Sequence, residues 1–166
     1  PLAVAGHGGK APAASPGPAL GSVAPDGTFS LADGRTRSVS SLRGRPTLLW
    51  FVATWCPSCQ VGTRALAARI GDLARSGVRV VELELAGDLG QAGPDAASFS
   101  RQFAGAAASD PDWTFGVASA GLSRAYDPAN YLDVYYLIDS SGRVRYVNSS
   151  PATTMGDLLA VASHLA

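Results

Sequence analysis

The run Thr47-Leu48-Leu49-Trp50-Phe51-Val52 is apolar on both alternation phases and is closely followed by Cys56-Pro57-Ser58-Cys59. A strand with no polar face must be covered on both sides, so the run reads as a central strand of an α/β sheet. After the cysteines, Val61, Ala65, Leu66, Ile70, Leu73 and Ala74 recur at three-to-four spacing and Gly77 follows as a stop. That pattern predicts a single helix over 57–76, weakened locally by Gly62 and Gly71. A second apolar stretch at 78–85 predicts another strand, and strand, helix, strand in that order is a parallel crossover unit.

The rest of the chain adds to one sheet. Segments 28–31 and 36–39 flank Ala32-Asp33-Gly34-Arg35 and predict a small N-terminal hairpin, followed by a turn at 40–44. A Gly-rich loop at 86–94 leads to a helix over 95–107 carrying Phe99 and Phe103 one turn apart, then to a short extended segment at 113–118. Strands at 134–138 and 143–148 are joined by Asp139-Ser140-Ser141-Gly142, and Thr154 with Asp157 resembles a cap for a closing helix over 155–165. Residues 1–22, a mixture of Ala, Gly and Pro without apolar period, read as a flexible tether, and 23–166 as one domain. The expected class is α/β, a mixed sheet with helices on both faces.

Charge and length exclude several functions. Lys+Arg 13 against Asp+Glu 13 gives no long-range attraction to nucleic acid, and no apolar run is long enough to form a membrane-spanning helix. The chain begins without an initiator Met or a charged-then-apolar leader, so any export signal or membrane anchor is expected to lie upstream.

The cysteine spacing carries the chemistry. With the central strand ending and the helix beginning at Cys56, its sulfur faces unpaired backbone N–H groups, which stabilise an anion by roughly 0.3–1 kcal/mol when exposed and lower the thiol pKa. Pro57 suits the first helical turn because its missing N–H would have had no partner there. Cys59 lies one turn deeper on the same face, where it can bond reversibly to Cys56 and is the less exposed of the two. Trp55 is expected to shield one side of the pair. A purely structural disulfide at this spacing closes too small a loop to stabilise a domain much. Zinc needs four ligands, and the only histidines are His7 in the tether and His164 in the last helix. Thiol–disulfide exchange, with Cys56 attacking and Cys59 resolving, is the expected chemistry.

Phe29-Ser30-Leu31 with Asp33-Gly34, then Ser41-Leu42-Arg43-Gly44-Arg45-Pro46, then Phe51-Val52-Ala53-Thr54-Trp55-Cys56-Pro57-Ser58-Cys59 resemble the extracytoplasmic thioredoxin-fold proteins of the TlpA/ResA/DsbE type. Tyr136-Leu137-Ile138-Asp139 with Gly142 is similar to that family's later strand-turn-strand. The resemblance spans about 23–148 and implies a thioredoxin-like fold with an N-terminal hairpin extension and a periplasmic or cell-envelope role in thiol redox. It also exposes three departures. By the resemblance, the slot of the family's cis-proline holds Asp133, or Leu132 if the loop is shifted, Trp50 stands where thioredoxins bury a carboxylate, and Gly62 stands where ResA-like proteins have Glu. Asp133 either faces the sulfurs, raising their pKa or accepting a proton, or caps its loop and points into water. Glu82 and Glu84 are substitute proton acceptors if their strand phase faces the cysteines, and otherwise mark a partly solvated face. Tyr131, Tyr135 and Tyr136 line a groove or simply pack.

The leading expectation is a thiol-disulfide oxidoreductase with no bound cofactor, monomeric, acting on protein thiols or disulfides, with a membrane redox partner possible in principle and attachment through the N-terminal segment. A Sco-like copper chaperone using the two thiolates is the alternative, although Sco-like proteins space their cysteines wider and supply a His. A peroxiredoxin-type peroxidase would need a hydroxyl before an isolated cysteine and an Arg aimed at it, a pattern that Thr54 and Trp55 do not present.

Overall fold

The computed structural model describes residues 17–165, so most of the tether expected at 1–22 lies outside the described residues. Seven strands form one mixed sheet: β1 (Thr28–Leu31), β2 (Thr36–Ser38), β3 (Thr47–Val52), β4 (Arg79–Glu84), β5 (Trp113–Ala118), β6 (Val134–Ile138) and β7 (Val144–Ser149), in the order β2-β1-β5-β4-β3-β6-β7. The central strand is where its composition placed it. β3 pairs parallel with β4 and antiparallel with β6, and Leu48, Leu49, Trp50 and Phe51 are fully buried. Burying such side chains contributes roughly 1.5–3 kcal/mol each.

The helices are α1 (Pro57–Ala67), α2 (Ile70–Arg75), α3 (Ala96–Ala104), α4 (Ala120–Tyr126) and α5 (Pro151–Ala162). One face of the sheet presents Leu48, Trp50 and Val80 to Leu66 of α1, Leu73 of α2, Phe99 of α3 and Leu158 of α5. The other face presents Leu49, Phe51 and Val81 to Val39 and Leu42 of a short 3-10 turn and to Leu122 and Tyr126 of α4. The N-terminal hairpin β1–β2 is joined to the sheet by antiparallel pairing of β1 with β5. No helix among the described residues is long and apolar enough to cross a membrane.

Four expectations change. The helix expected over 57–76 is two helices, because Arg69 (φ −120, ψ 7) leaves helical geometry between them. Leu66 and Leu73 nevertheless stay buried on the same side, so the apolar period runs unbroken across the gap. The closing helix starts at Pro151, not after a Thr154 cap. At Thr154 the backbone leaves helical geometry (φ −113, ψ 15), a kink where the closing helix was expected to begin, but the Thr154 hydroxyl turns back to the carbonyls of Ser149 and Ser150 and Pro151 occupies the first helical turn. Helix α4 is not expected from the sequence at all. Finally, the boundary at 22/23 falls inside an ordered contact: Gly21 N donates to Val144 O (2.7 Å) and Val144 N to Ser22 O (3.0 Å).

Candidate active site

β3 delivers the chain to a short turn, closed by Cys56 N donating to Ala53 O (3.1 Å), and α1 begins immediately after it. Cys56 is the N-cap: its backbone is extended (φ −77, ψ 120), its Sγ accepts from Cys59 N at 3.3 Å, and Pro57 fills the first turn. Ser58 Oγ lies 3.1 Å from the same sulfur. Both cysteines are free thiols. Cys59 is fully buried, and Cys56 is nearly as covered at 1% exposed, because capping folds its side chain back over the first turn instead of outward.

The two thiols are driven apart in acidity. The Cys59 thiol, the Ser58 hydroxyl and the Cys59 amide all favour the Cys56 thiolate, against burial and the Asp133 charge, and hold it well below an ordinary thiol, at about 6. Cys59 moves far the other way, because its proton is held toward Cys56, because it is buried, and because Asp133 repels its anion.

Asp133 faces the cysteines and not solvent. It is 1% exposed, at φ +74 in a loop with no cis peptide, and its Oδ1 accepts from Trp50 Nε1 at 3.0 Å. Its Oδ2 is buried without a hydrogen bond of its own. Burial raises its pKa, while Ser58, Trp50, Ser150 and Cys59 are near enough to pull it back. The three departures from the family pattern are thus one constellation. A Cβ on Gly62 would lie 2.9 Å from Trp50 ring carbons and 3.2 Å from Pro151, so only glycine lets α1 lie on the indole, and the indole in turn holds Asp133. Gly62→Ala is expected to destabilise the fold by about 1 kcal/mol, since overpacking costs roughly 1–3 kcal/mol and helix propensity returns up to about 1. The urea midpoint should recover when Trp50→Phe is added, the two changes being less than additive.

The strand phase of Glu82 does face α1. Glu82 is 1% exposed, and its Oε1 lies 2.7 Å from Thr63 Oγ1, which lies 2.9 Å from Cys59 O. The solvated-face reading therefore fails for Glu82, whose pKa burial pushes up to about 8. Glu84 is half-buried and looks toward Asp88 and Asp95, and burial with those two charges raises it to about 7. Of the three acids, Asp133 acts on both thiols, whereas Glu82 reaches only the Cys59 carbonyl side through Thr63. Tyr135 and Tyr136 are fully buried packing residues, each with a bonded hydroxyl, and only Tyr131 is exposed. Trp55 packs on the apolar cluster that contains both cysteines, and its Nε1 donates to Asp88 O at 2.7 Å. In the sequence Asp88 is one residue of the Gly-rich loop at 86–94. Nothing local marks it, because its partners lie 33 and 34 residues away.

A dithiol at the head of the helix that follows the central strand, in a sheet of this order, defines a thioredoxin-like fold. Residues 20–147 match the model of the AhpC/TSA family, and the chain belongs to that family. No curated protein matches it. Among solved structures it is similar to the thioredoxin domain of a thiol-disulfide oxidoreductase from Bacteroides vulgatus (TM-score 0.63, 15% identity, covering 85% of this chain and 98% of that one). It is similar also to a secreted Mycobacterium tuberculosis disulfide oxidoreductase homologous to E. coli DsbE (TM-score 0.60, 20% identity, 83% and 95%). Arabidopsis thaliana ScoI with copper bound is a third (TM-score 0.61, 16% identity, 86% and 99%). At these identities the likeness is one of fold.

Proposed function

We propose that the chain is a thiol-disulfide oxidoreductase that exchanges disulfides with protein partners outside the cytoplasm, held there through its N-terminal segment. The observation that carries this reading is the Cys56 sulfur at the head of α1, 3.3 Å from the Cys59 amide and with its thiol lowered to about 6. At neutral pH that sulfur is a thiolate beside a thiol. In the reducing direction, Cys56 attacks one sulfur of a partner disulfide, the partner's S–S bond breaks, and its other sulfur leaves as a thiolate that takes up a proton. Cys59 then gives its proton to Asp133, attacks Cys56 Sγ, and releases the second partner thiol, leaving the Cys56–Cys59 disulfide. The two electrons lost by the dithiol are those gained by the partner, and the reverse sequence oxidises a dithiol substrate. Because Cys56 is covered, a partner segment must displace its neighbours to reach it. The fold shared with a secreted disulfide oxidoreductase supports the compartment.

The rival readings fit the site less well. Copper as cargo calls for a third ligand, yet among the described residues no group of three or more His, Cys, Asp or Glu side chains is arranged around a metal. A peroxidase would use a free hydroxyl before the cysteine, but Thr54 Oγ1 is bound to Asp88 Oδ2 at 2.6 Å. Insulin reduction with dithiothreitol as electron source, run beside Cu(I) titration and peroxide consumption, tests the ranking. Catalysed insulin reduction is expected, and stoichiometric Cu(I) binding or peroxide turnover without it overturns the proposal.

Asp133 is open to a direct test. Asp133→Asn keeps an acceptor for Trp50 Nε1 and removes the charge that opposes both thiolates. The midpoint for Cys56 alkylation is expected to move below its native value, while single-turnover resolution by Cys59 slows for want of a base. An unchanged midpoint with unchanged resolution removes Asp133 from the mechanism.

A further inference from the structure

We infer that Asp88 is a positioning residue for the cysteine pair, clamping Thr54 and Trp55 and through them the turn that sets Cys56 at the head of α1. The inference deepens the disulfide-exchange reading, on which it rests for its meaning but not for its test.

Asp88 is 6% exposed, and both its carboxylate oxygens and its main-chain oxygen bond to the two residues before Cys56, the main-chain oxygen accepting also from Gln91 N at 3.3 Å. Oδ1 accepts from Thr54 N (2.7 Å), Oδ2 from Thr54 Oγ1 (2.6 Å), and the main-chain oxygen from Trp55 Nε1 (2.7 Å). The first two are made to the carboxylate, and hydrogen bonds to a carboxylate are shorter and stronger than those to a neutral acceptor. From the α1 side, Gln60 Nε2 donates to Thr54 O at 3.1 Å, so the turn is gripped from two directions.

The backbone around the clamp is held in costly conformations. Gly87, Asp88 and Leu89 are consecutive left-handed residues (φ 68, 51 and 55), which for the two non-glycines costs of order 1–3 kcal/mol each. Asp88 makes no ion pair among the described residues, and the charged group that feels it, Glu84 on β4, is an acid. A carboxylate placed there gains nothing from charge pairing; what it gains is the two bonds to Thr54, while the main-chain oxygen beside it holds Trp55. The loop then closes over them at Gly93, where a Cβ would lie 2.3 Å from Thr54 Oγ1, 2.8 Å from Asp88 Oδ2 and 2.9 Å from Trp55 N.

The experiment uses opposite signs. Removing a negative charge by itself eases formation of the Cys56 thiolate and lowers its midpoint. Releasing the turn instead separates Sγ from the Cys59 amide and Ser58 and raises it. For Asp88→Ala, the clamp therefore requires a rise in the midpoint, so that iodoacetamide alkylation of Cys56 at pH 6 slows by about fivefold, as a half-ionised thiol made ten times less acidic would. Asp88→Asn, which can accept from Thr54 N and donate to Thr54 Oγ1, should restore most of the native rate. A folded Asp88→Ala protein whose midpoint is unchanged or lowered overturns the inference, as does an Asn variant no better than Ala. If Asp88→Ala does not fold, Thr54→Val decides: it removes the hydroxyl bond alone, and a smaller rise supports the clamp where an unchanged midpoint overturns it. The native midpoint reports on the exchange reading, and only the change on substitution reports on Asp88, so the two fail separately.

Discussion

Replacing Cys59 by Ser is expected to leave a protein that opens a partner disulfide once and then stops, joined to its partner through Cys56. The sulfur that attacks is chosen by acidity: Cys56 is lowered to about 6 while burial, Asp133 and its bond to Cys56 keep Cys59 protonated. Loss of Cys59 removes neither the helix start nor the Ser58 hydroxyl beside the Cys56 sulfur, so the first step survives. The Cys59 thiol is the largest of the influences that lower Cys56, however, so the midpoint in the variant rises and trapping is slower below neutral pH than the native first step. Steady-state insulin reduction should fall by roughly three orders of magnitude or more, the scale on which losing one member of a nucleophilic pair acts. Cys56→Ser should lose turnover to the same extent and form no adduct. Non-reducing electrophoresis with mass spectrometry of the trapped species reads both. Adducts formed equally well by the Cys56→Ser protein would reverse the assignment of nucleophile and resolving thiol.

What could be read from the residues alone depended on how local the cause was. β3 was legible because a strand with no polar phase has few places to go, and the head of α1 because Cys56, Pro57 and Cys59 satisfy its end within one turn. The gap between α1 and α2 was not, since Leu66 and Leu73 keep the same apolar face on both sides of Arg69. The Thr154–Asp157 pattern marks the kink within α5, where the backbone leaves helical geometry, and the first turn before it is signalled by Pro151. Trp50, Gly62 and Asp133 were each visible as departures, but their dependence on one another arises only when α1 lies across β3 and the 127–133 loop folds over its end. Every left-handed residue other than glycine among the described residues falls in three stretches: 88–89, which holds Thr54 and Trp55; 130–133, which ends at Asp133; and Ser150, whose N–H donates to Asp133 O. Backbone strain collects where a site must be held in shape, and composition gives no sign of it.

Glu82→Gln is expected to make the protein more stable, by an amount that grows with pH. Thr63 Oγ1 lies between Cys59 O at 2.9 Å and Glu82 Oε1 at 2.7 Å, but a hydroxyl has one proton to give. When that proton goes to the carbonyl, the carboxyl must supply the other bond, which requires Glu82 to be protonated. Its pKa agrees, being raised from 4.5 to about 8 chiefly by burial. Between those two values the folded state holds a proton that the unfolded chain has released, so native stability falls as pH rises from about 4.5 to about 8 and is flat with respect to this group outside that window. At the upper end the penalty is of order 3–5 kcal/mol, because each tenfold difference in proton affinity between the two states is worth about 1.36 kcal/mol. Gln is neutral throughout and its amide can donate to Thr63 Oγ1, so the variant should match the native protein near pH 4.5 and exceed it increasingly up to pH 8, by a few kcal/mol at most. Urea unfolding at pH 4.5, 6 and 8 measures it. A gain that does not grow with pH would mean that Glu82 is ionised in the fold, and would require Thr63 to turn its proton from the Cys59 carbonyl to the carboxylate.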